Sequence, residues 1–223
     1  MQNRKSKIIL IYFFLLLLVG SINNINLNNL KFYEIKDIKI IGLSNHHNSI
    51  LLEEIQNLNL KNIFLVNKEK LMKQININSL VEKYEISKNY PSSLNISIEK
   101  TKFLAKINNN GKIFVVGSNG KLSKNDSLIN QLPFIFGNPE INEFLNFKKN
   151  IDQSKFLYDE IKNLYFFSSR RWDLELHNDI VIKLPKNELK DTLNLAYEFL
   201  YNNDFKNIKI IDARIKNQII LND

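Results

Sequence analysis

The sequence predicts an α+β protein with a single N-terminal transmembrane helix, a β-α-α-β-β module, and a β-rich domain with two packed helices. Three observations carry this prediction. An uninterrupted apolar run, Ile8–Val19, follows a short basic tail. Segments with strand-like alternation and helix-like spacing then come in the order strand, helix, helix, strand, strand. From Phe103 onward, short alternating segments and turn signals dominate the chain.

The N-terminal segment determines the predicted compartment. Arg4, Lys5 and Lys7 precede the apolar run. Extended to residue 22, the run spans roughly 22 Å at about 1.5 Å per residue, so it needs snorkelling of Lys7 and a thinned bilayer to cross the ~30 Å core. A cleaved signal peptide is the alternative, since Val19–Ser21 resembles a small-residue cleavage site. Because the positive charge stays inside, both interpretations export the chain from about residue 28 onward.

The first module is predicted from alternation, helical spacing and capping signals. Its last part alternates on both sides of a polar loop that contains Pro91, which is the pattern of a hairpin. The predicted elements are a strand over Ile35–Leu43 ended by Gly42, a helix capped by Ser49 with an apolar stripe of Leu51, Ile55 and Leu58, a helix over Lys68–Ile75 with Leu71, Met72 and Ile75 facing in, and a hairpin over Tyr84–Lys100.

The remainder of the chain is predicted mostly from turn chemistry. Asn-Gly between two apolar runs is a strong hairpin signal. The predicted elements are a hairpin turning at Asn110–Gly111, a turn at Ser118–Gly120 before a short strand, a loop over Leu132–Glu140, a helix capped by Asp152 with a stripe of Leu157, Ile161 and Leu164, a hairpin from Trp172 turning at Asn178–Asp179, a helix from about Glu188, and a long terminal strand over Ile208–Leu221.

Composition argues against a nucleic-acid partner. The net charge is +8, but Lys outnumbers Arg by 27 to 4 and is dispersed among acids. A phosphate-binding face would cluster its charge and favour Arg, so a solvated lysine surface is predicted. The chain contains no cysteine, which excludes disulfides, thiolate metal sites and a cysteine nucleophile.

No catalytic constellation stands out, and the protein is predicted not to be an enzyme. His46 and His47 are adjacent in a predicted loop, where their side chains diverge, and His177 has no motif partner. HExxH, GxSxG and glycine-rich phosphate motifs are missing from the sequence. We therefore expect no catalytic or metal site, no cofactor and no small-molecule substrate.

Five segments in order carry a resemblance. They are Ile35–Gly42 as an opening strand, a signature of Lys88, Tyr90-Pro91 and Glu99 around an alternating strand, LPFIFG at Leu132–Gly137, the hairpin Arg170–Pro185, and IIDAR at Ile210–Arg214. In this order, behind a basic tail and an apolar run, the chain resembles the FtsQ/DivIB family of bacterial cell-division proteins. Gly42, Lys88, Tyr90, Pro91 and Glu99 are similar to the signature of that family's POTRA module.

The resemblance implies a bitopic scaffold that links membrane proteins of the division septum through its extracytoplasmic domain, partly by β-strand addition. It implies FtsB- and FtsL-like partners, a single-pass inner-membrane location with a cytoplasmic N-terminus, and a periplasmic C-terminal domain. The implied organisation is a cytoplasmic tail (1–7), a transmembrane helix (8–24), a POTRA domain (33–101) and an FtsQ-type β domain (102–223).

The residues expected to bind a partner lie around the terminal strand. A strand at a sheet edge offers unpaired N–H and C=O groups, and Arg214 suits a partner carboxylate because guanidinium binds it bidentately. The alternative is that Arg214 pairs with Asp212 or another acid, and that the strand lies inside the sheet. Trp172 is predicted to be a core residue. The expected contact residues are Arg214, Ile215, Lys216, Gln218, Arg170 and Arg171.

Two other function classes stay open from the sequence. One is a different POTRA protein of outer-membrane assembly or secretion, although such proteins usually carry tandem modules or a barrel. The other is an anchored cell-wall-binding protein or hydrolase. Soluble fragments released from peptidoglycan would indicate the hydrolase.

Overall fold

The computed structural model describes residues 2–22, 34–124, 132–202, 208–216 and 218–222. The chain divides into two compact units. Unit 1 consists of Met1–Ile75 and Glu85–Ser97, and unit 2 of Asn76–Tyr84 and Ile98–Asp223. The predicted segment boundaries at residues 24 and 33 lie outside the described residues.

The N-terminal helix α1 covers Gln2–Ile22. Its large apolar side chains from Ile8 to Val19 are between 49% and 70% exposed. Within the described ranges, none of the helices has both the length and the apolarity that crossing a bilayer requires.

The first module has the predicted order strand, helix, helix, strand, strand. Leu94 and Ile96 on one face of β3 are fully buried, as alternation predicted. The three strands form a sheet in the order β1-β3-β2, with β1 parallel to β3. The elements are β1 (Asp37–Ile41), α2 (Asn45–Gln56), α3 (Lys68–Ile77), β2 (Val81–Asn89) and β3 (Ser93–Lys100).

Three details of this module were predicted wrongly. Helix α2 is capped by Ser44, whose side chain accepts a hydrogen bond from the His47 N–H, and it therefore begins five residues earlier than predicted. Ser49 lies inside the helix, where its hydroxyl donates to the Asn45 carbonyl at 2.9 Å. His46 and His47 belong to the first turn of α2 and not to a loop. On α3, Met72 is 42% exposed, since the buried stripe is only Leu71 and Ile75.

The second sheet contains nine strands in the order β12-β11-β10-β9-β8-β7-β4-β5-β6. The predicted turn at Asn110–Gly111 is confirmed, because both residues have the positive φ of a tight hairpin turn. The elements are β4 (Phe103–Asn109), β5 (Lys112–Gly117), β6 (Leu122–Lys124), β7 (Phe134–Phe136), α4 (Ile141–Asp152), β8 (Ile161–Phe166), β9 (Trp172–Leu176), β10 (Val181–Lys183), α5 (Leu189–Asn202), β11 (Ile210–Asp212) and β12 (Ile220–Asn222).

Three predictions for this part of the chain are wrong. The segment predicted as the loop Leu132–Glu140 contains the strand β7, which pairs in parallel with β4 and β8. Asp152 ends the helix α4 and does not cap a later one; Tyr158–Glu160 is one 3-10 turn, and Ile161–Phe166 is a strand. The predicted terminal strand Ile208–Leu221 is two short antiparallel strands, β11 and β12.

The core of unit 2 lies between the nine-stranded sheet and helices α4 and α5. Trp172 on β9 is 4% exposed, which confirms its predicted place in the core. Its ring stacks on Phe147 of α4 at 4.6 Å between centroids and also contacts Phe144 and Phe166. Leu193 and Ala196 of α5 are fully buried in the same cluster.

Candidate partner-binding edge

Strand β12 is the terminal strand of the nine-stranded sheet. It pairs with β11 on one side, and among the described residues no strand pairs with its other side. Its first residue, Ile220, is 52% exposed. A strand in this position presents backbone N–H and C=O groups that another strand can bind.

The strand at the opposite end of the sheet, β6, is covered by a segment of the same unit. Ser123 on β6 is buried and donates a hydrogen bond from its hydroxyl to Ser79 Oγ at 2.8 Å. Lys121, just before β6, donates to the carbonyls of Asn76 and Asn78 at 2.5 and 3.2 Å. The β12 edge is therefore the better candidate for binding a partner strand.

A row of charges crosses the strands next to this edge. Asp173 of β9 lies opposite Lys183 of β10, and Lys183 lies opposite Asp212 of β11. Residues opposite one another on neighbouring strands project from the same face. Arg171 and Arg214 flank these three residues in sequence and bind the two acids. We call Arg171, Asp173, Lys183, Asp212 and Arg214 the charge row.

Arg214 is already paired within the chain. Its Nε donates to both Asp212 carboxylate oxygens at 2.8 and 3.0 Å, and Nη2 donates to Oδ2 at 2.5 Å. The hydrogen bonds from Arg214 lower the pKa of the Asp212 carboxyl below its usual value, because they favour the ionised form. The internal pairing that the sequence left open as an alternative is thus the one observed.

The pKa of Asp173 is shifted in the opposite direction. Its carboxylate is almost fully buried and accepts hydrogen bonds from Arg171 Nε at 3.3 Å and from the Leu184 N–H at 3.4 Å. Burial raises the pKa of this carboxyl, and the nearby Arg171 charge only partly offsets the effect. Arg171 also lies over the Phe167 ring, 4.6 Å from its centroid.

The remaining predicted contact residues occupy turns. Ile215, 52% exposed, and Lys216 follow β11, and Gln218 closes the turn by donating its N–H to the Ile215 carbonyl at 3.1 Å. Lys216 binds Glu188 Oε1 at 2.7 Å. Arg170 lies in the β8–β9 turn, next to Arg171 in sequence, and binds Glu143 of α4 at 2.6 Å.

The residues of the POTRA signature serve the first module in different ways. Gly42 ends β1 with φ of 113°. Lys88 donates from Nζ to the Ile63 carbonyl at 2.7 Å, and the Tyr90 ring stacks on Phe64. Pro91 follows a cis peptide bond between β2 and β3. Glu99 lies 3.8 Å from Lys83, with both side chains exposed.

Sequence reasoning missed Asp173, Lys183 and Ile220 as parts of this region. A signal existed for the first two, since each is a charged residue next to apolar ones in a predicted hairpin. The polar run Lys216–Gln218 also indicated a turn before Ile220. In the part of the chain that the structure describes, no cluster of three or more His, Cys, Asp or Glu side chains is arranged to hold a metal ion.

A three-stranded βααββ module followed by a long mixed sheet with two packed helices defines a POTRA-plus-β protein. Residues 33–100 match the family described as "POTRA domain, FtsQ-type". Residues 98–214 match the family described as "Cell division protein FtsQ/DivIB, C-terminal". Since that second match covers more than half of the chain, the protein belongs to the FtsQ/DivIB family of cell division proteins, as its motifs indicated.

Individual relatives are distant. The chain is 23% identical to cell division protein DivIB of Clostridium botulinum (strain Hall), with 93% of this chain and 86% of the relative covered. It is 23% identical to cell division protein FtsQ of Rickettsia bellii, with 83% and 71% covered. A solved structure of the major extracytoplasmic domain of DivIB from Geobacillus stearothermophilus, in its trans isomer, matches 48% of this chain and 98% of its own at 12% identity, with a TM-score of 0.34. Membership in this family makes the chain a division protein that acts with other division proteins.

Proposed function

We propose that this protein is a non-enzymatic scaffold of the division septum, and that the β12 edge binds FtsB- and FtsL-like membrane proteins by β-strand addition. The observation that carries the proposal is that β12 pairs on one side only within the described residues. A partner strand laid along β12 would pair backbone groups that otherwise bind water, and its side chains would contact Ile220.

The charges beside β12 favour an acidic partner segment. Arg214 and Lys216 lie in the turn that leads to β12, and each already binds one carboxylate, Asp212 or Glu188. Both ion pairs are partly exposed, so a partner carboxylate can join or replace them at little free-energy cost. These two ion pairs therefore contribute selectivity more than affinity.

Helix α1 supports the membrane part of the proposal. Its apolar side chains between Ile8 and Val19 are exposed, and three basic residues precede them in the sequence. An apolar helix with cations on its N-terminal side favours a cytoplasmic N-terminus and export of the POTRA module and the β-rich domain that follow it.

A pair of lysine substitutions tests the edge. Lysine on an edge strand opposes pairing with another strand, so Ile220→Lys should weaken co-purification of the full chain with its membrane partners by about tenfold or more in affinity. Folding should be retained, because Ile220 is half exposed and lies opposite Asp212. The matched control is Ile113→Lys on β5, a similarly exposed isoleucine on a strand paired on both sides.

The control should bind partners as the unchanged protein does. Equal binding by folded Ile220→Lys and Ile113→Lys proteins would show that the partner binds somewhere other than β12.

A further inference from the structure

One end of the first module exposes three large apolar side chains together. Phe64, Leu65 and Tyr90 are 55%, 80% and 59% exposed, and we call them the apolar tip. The Phe64 and Tyr90 rings stack with 5.0 Å between centroids and 26° between planes. Lys88 Nζ donates to the Ile63 carbonyl, which fixes the loop to strand β2. The loop that carries the tip is thus held in place by hydrogen bonding, and the three side chains face outward instead of packing into the core of the module.

The chain leads into the first module beside this tip. Glu34 forms an isolated β-bridge with Asn62, and the Ile35 N–H donates to the Lys61 carbonyl at 3.3 Å. Phe64 is therefore two residues from the contact that receives the chain. Eleven residues, 23–33, connect this point to the end of α1, and eleven residues span at most about 40 Å.

We propose that the apolar tip binds the interfacial layer of the lipid bilayer next to α1. Leu65 and the two rings enter the boundary between headgroups and acyl chains, and unit 1 is held at the membrane surface. The inference goes beyond partner binding at β12, which lies in unit 2. It uses the proposed membrane location of α1 only to bring the tip within reach of lipid.

The composition of the tip suits lipid. Tyr and Phe with neighbouring lysines are typical of membrane interfaces, where rings and lysine stems contact acyl chains while polar ends stay hydrated. Lys36, Lys61 and Lys88 outnumber Glu34 and Asp37 at this end of the unit, so anionic lipid is not repelled.

The size of the tip argues against a protein partner. Three side chains are far less than the roughly 800 Å² per partner of a standard protein interface. A tethered lipid contact needs no such area, because the tether keeps the bilayer at high effective concentration.

The lack of cysteine in the chain allows a direct test. Leu65→Cys, Asn45→Cys and Leu16→Cys full-length proteins are each labelled with an environment-sensitive fluorophore and reconstituted into phosphatidylethanolamine–phosphatidylglycerol vesicles that contain spin-labelled lipid. Asn45 is the matched control, since it is exposed and begins α2, whose other end leads to the tip. Leu16 reports separately on insertion of α1.

We expect lipid quenching at position 65 to exceed that at position 45 by about twofold or more, as for side chains ~5–10 Å into the interface. The difference should persist at high salt, because apolar insertion is not screened. Equal quenching at 65 and 45, or shielding of 65 only when a protein partner is added, would overturn the proposal. Absence of quenching at 16 would refute the membrane location of α1, whereas position 65 still decides the tip.

A second pair of variants tests the same contact with the label at Tyr90 instead of Leu65. Leu65→Glu, in a protein labelled at Tyr90→Cys, should reduce quenching to the level at position 45. Ile41→Glu should leave it unchanged, because Ile41 is 50% exposed at the far end of β1. Both substituted side chains are exposed, so both variants should fold.

Discussion

Asp173 carries a carboxylate where its neighbours along the strand, Trp172 and Leu174, are buried core residues. Burial disfavours the charged form, and Arg171 compensates only in part, which is why the pKa of this carboxyl is raised. Asp212, two strands away, is more exposed and tightly bound to Arg214, and its pKa is lowered. Two acids of one charge row therefore act on stability in opposite directions.

The raised pKa predicts the pH dependence of Asp173→Asn. A carboxyl whose pKa is higher when folded lowers stability once it is ionised, and this penalty disappears as pH falls to the unfolded value near 4. Asn keeps an oxygen for the Leu184 N–H without the charge. We expect Asp173→Asn to be more stable than the unchanged protein at pH 7, with the difference shrinking towards pH 4 in urea denaturation. A less stable variant at pH 7, or a difference independent of pH, would contradict this assignment.

The position of Gly137, the last residue of the LPFIFG segment, requires a glycine. It follows β7 with φ of 94°, and a Cβ there would lie 2.2 Å from the Phe166 carbonyl oxygen. Gly137→Ala should lower stability by more than about 2 kcal/mol, because a backbone clash adds to the left-handed cost of about 1–2 kcal/mol. Gly111→Ala is the control: φ is 79° but nothing lies within 4 Å, so only the conformational cost applies. Similar losses for both variants in denaturation would show that β7 does not pack closely on β8.

At the scale of elements, predictions from the sequence succeeded where side-chain alternation was regular and failed where the backbone was irregular. The sequence predicts a helix in place of strand β8, because Ile161 and Leu164 are three residues apart. The β-bulge between Ile161 and Asn163 shifts the register, so both side chains reach the core of a strand. A three-residue strand such as β7, in which only Ile135 is buried and a proline lies on either side, offers too little alternation to recognise.

The prediction of one long terminal strand is wrong for a related reason. Ile211 and Ala213 alternate correctly, but Ile215 and Ile219 are four residues apart with polar residues between them. The chain turns there, and β12 folds back antiparallel to β11. The predicted candidate residues Arg214, Ile215, Lys216 and Gln218 consequently form the turn that leads to the sheet edge, and the edge itself is Ile220–Asn222.

Helix α4 packs on the sheet through the contact between Phe147 and Trp172. Phe147 is 1% exposed and stacks on Trp172 nearly parallel, at 4° between ring planes. Phe147→Ala should cost about 3–5 kcal/mol of unfolding free energy, as for other buried phenylalanines. Phe167→Ala, at a 38% exposed site in the β8–β9 turn, should cost less than half as much. Equal costs in calorimetry or denaturation would mean that α4 is not anchored through Trp172.

At the scale of the whole molecule, the chain combines a POTRA module with a sheet whose terminal strand, β12, pairs on one side only within the described residues. This combination supports the proposal that the chain holds other division proteins together. The proposed scaffold role needs no reactive group, so incubation with peptidoglycan should release no soluble fragments. Released fragments would instead indicate a hydrolase.

Membership in a division family, together with the proposed anchor, supports a location at the division septum. A fluorescent fusion of the full chain should concentrate at midcell, and depletion should produce filaments. Uniform membrane fluorescence with normal division after depletion would contradict a scaffold role at the septum.

Amide hydrogen exchange of the full chain with and without its co-purified membrane partners tests strand addition at β12 most directly. If a partner strand pairs there, the amides of residues 218–222 should gain protection of about tenfold or more, while those of β5 stay unchanged. Formation of the complex with no change in the exchange of β12 would contradict the account.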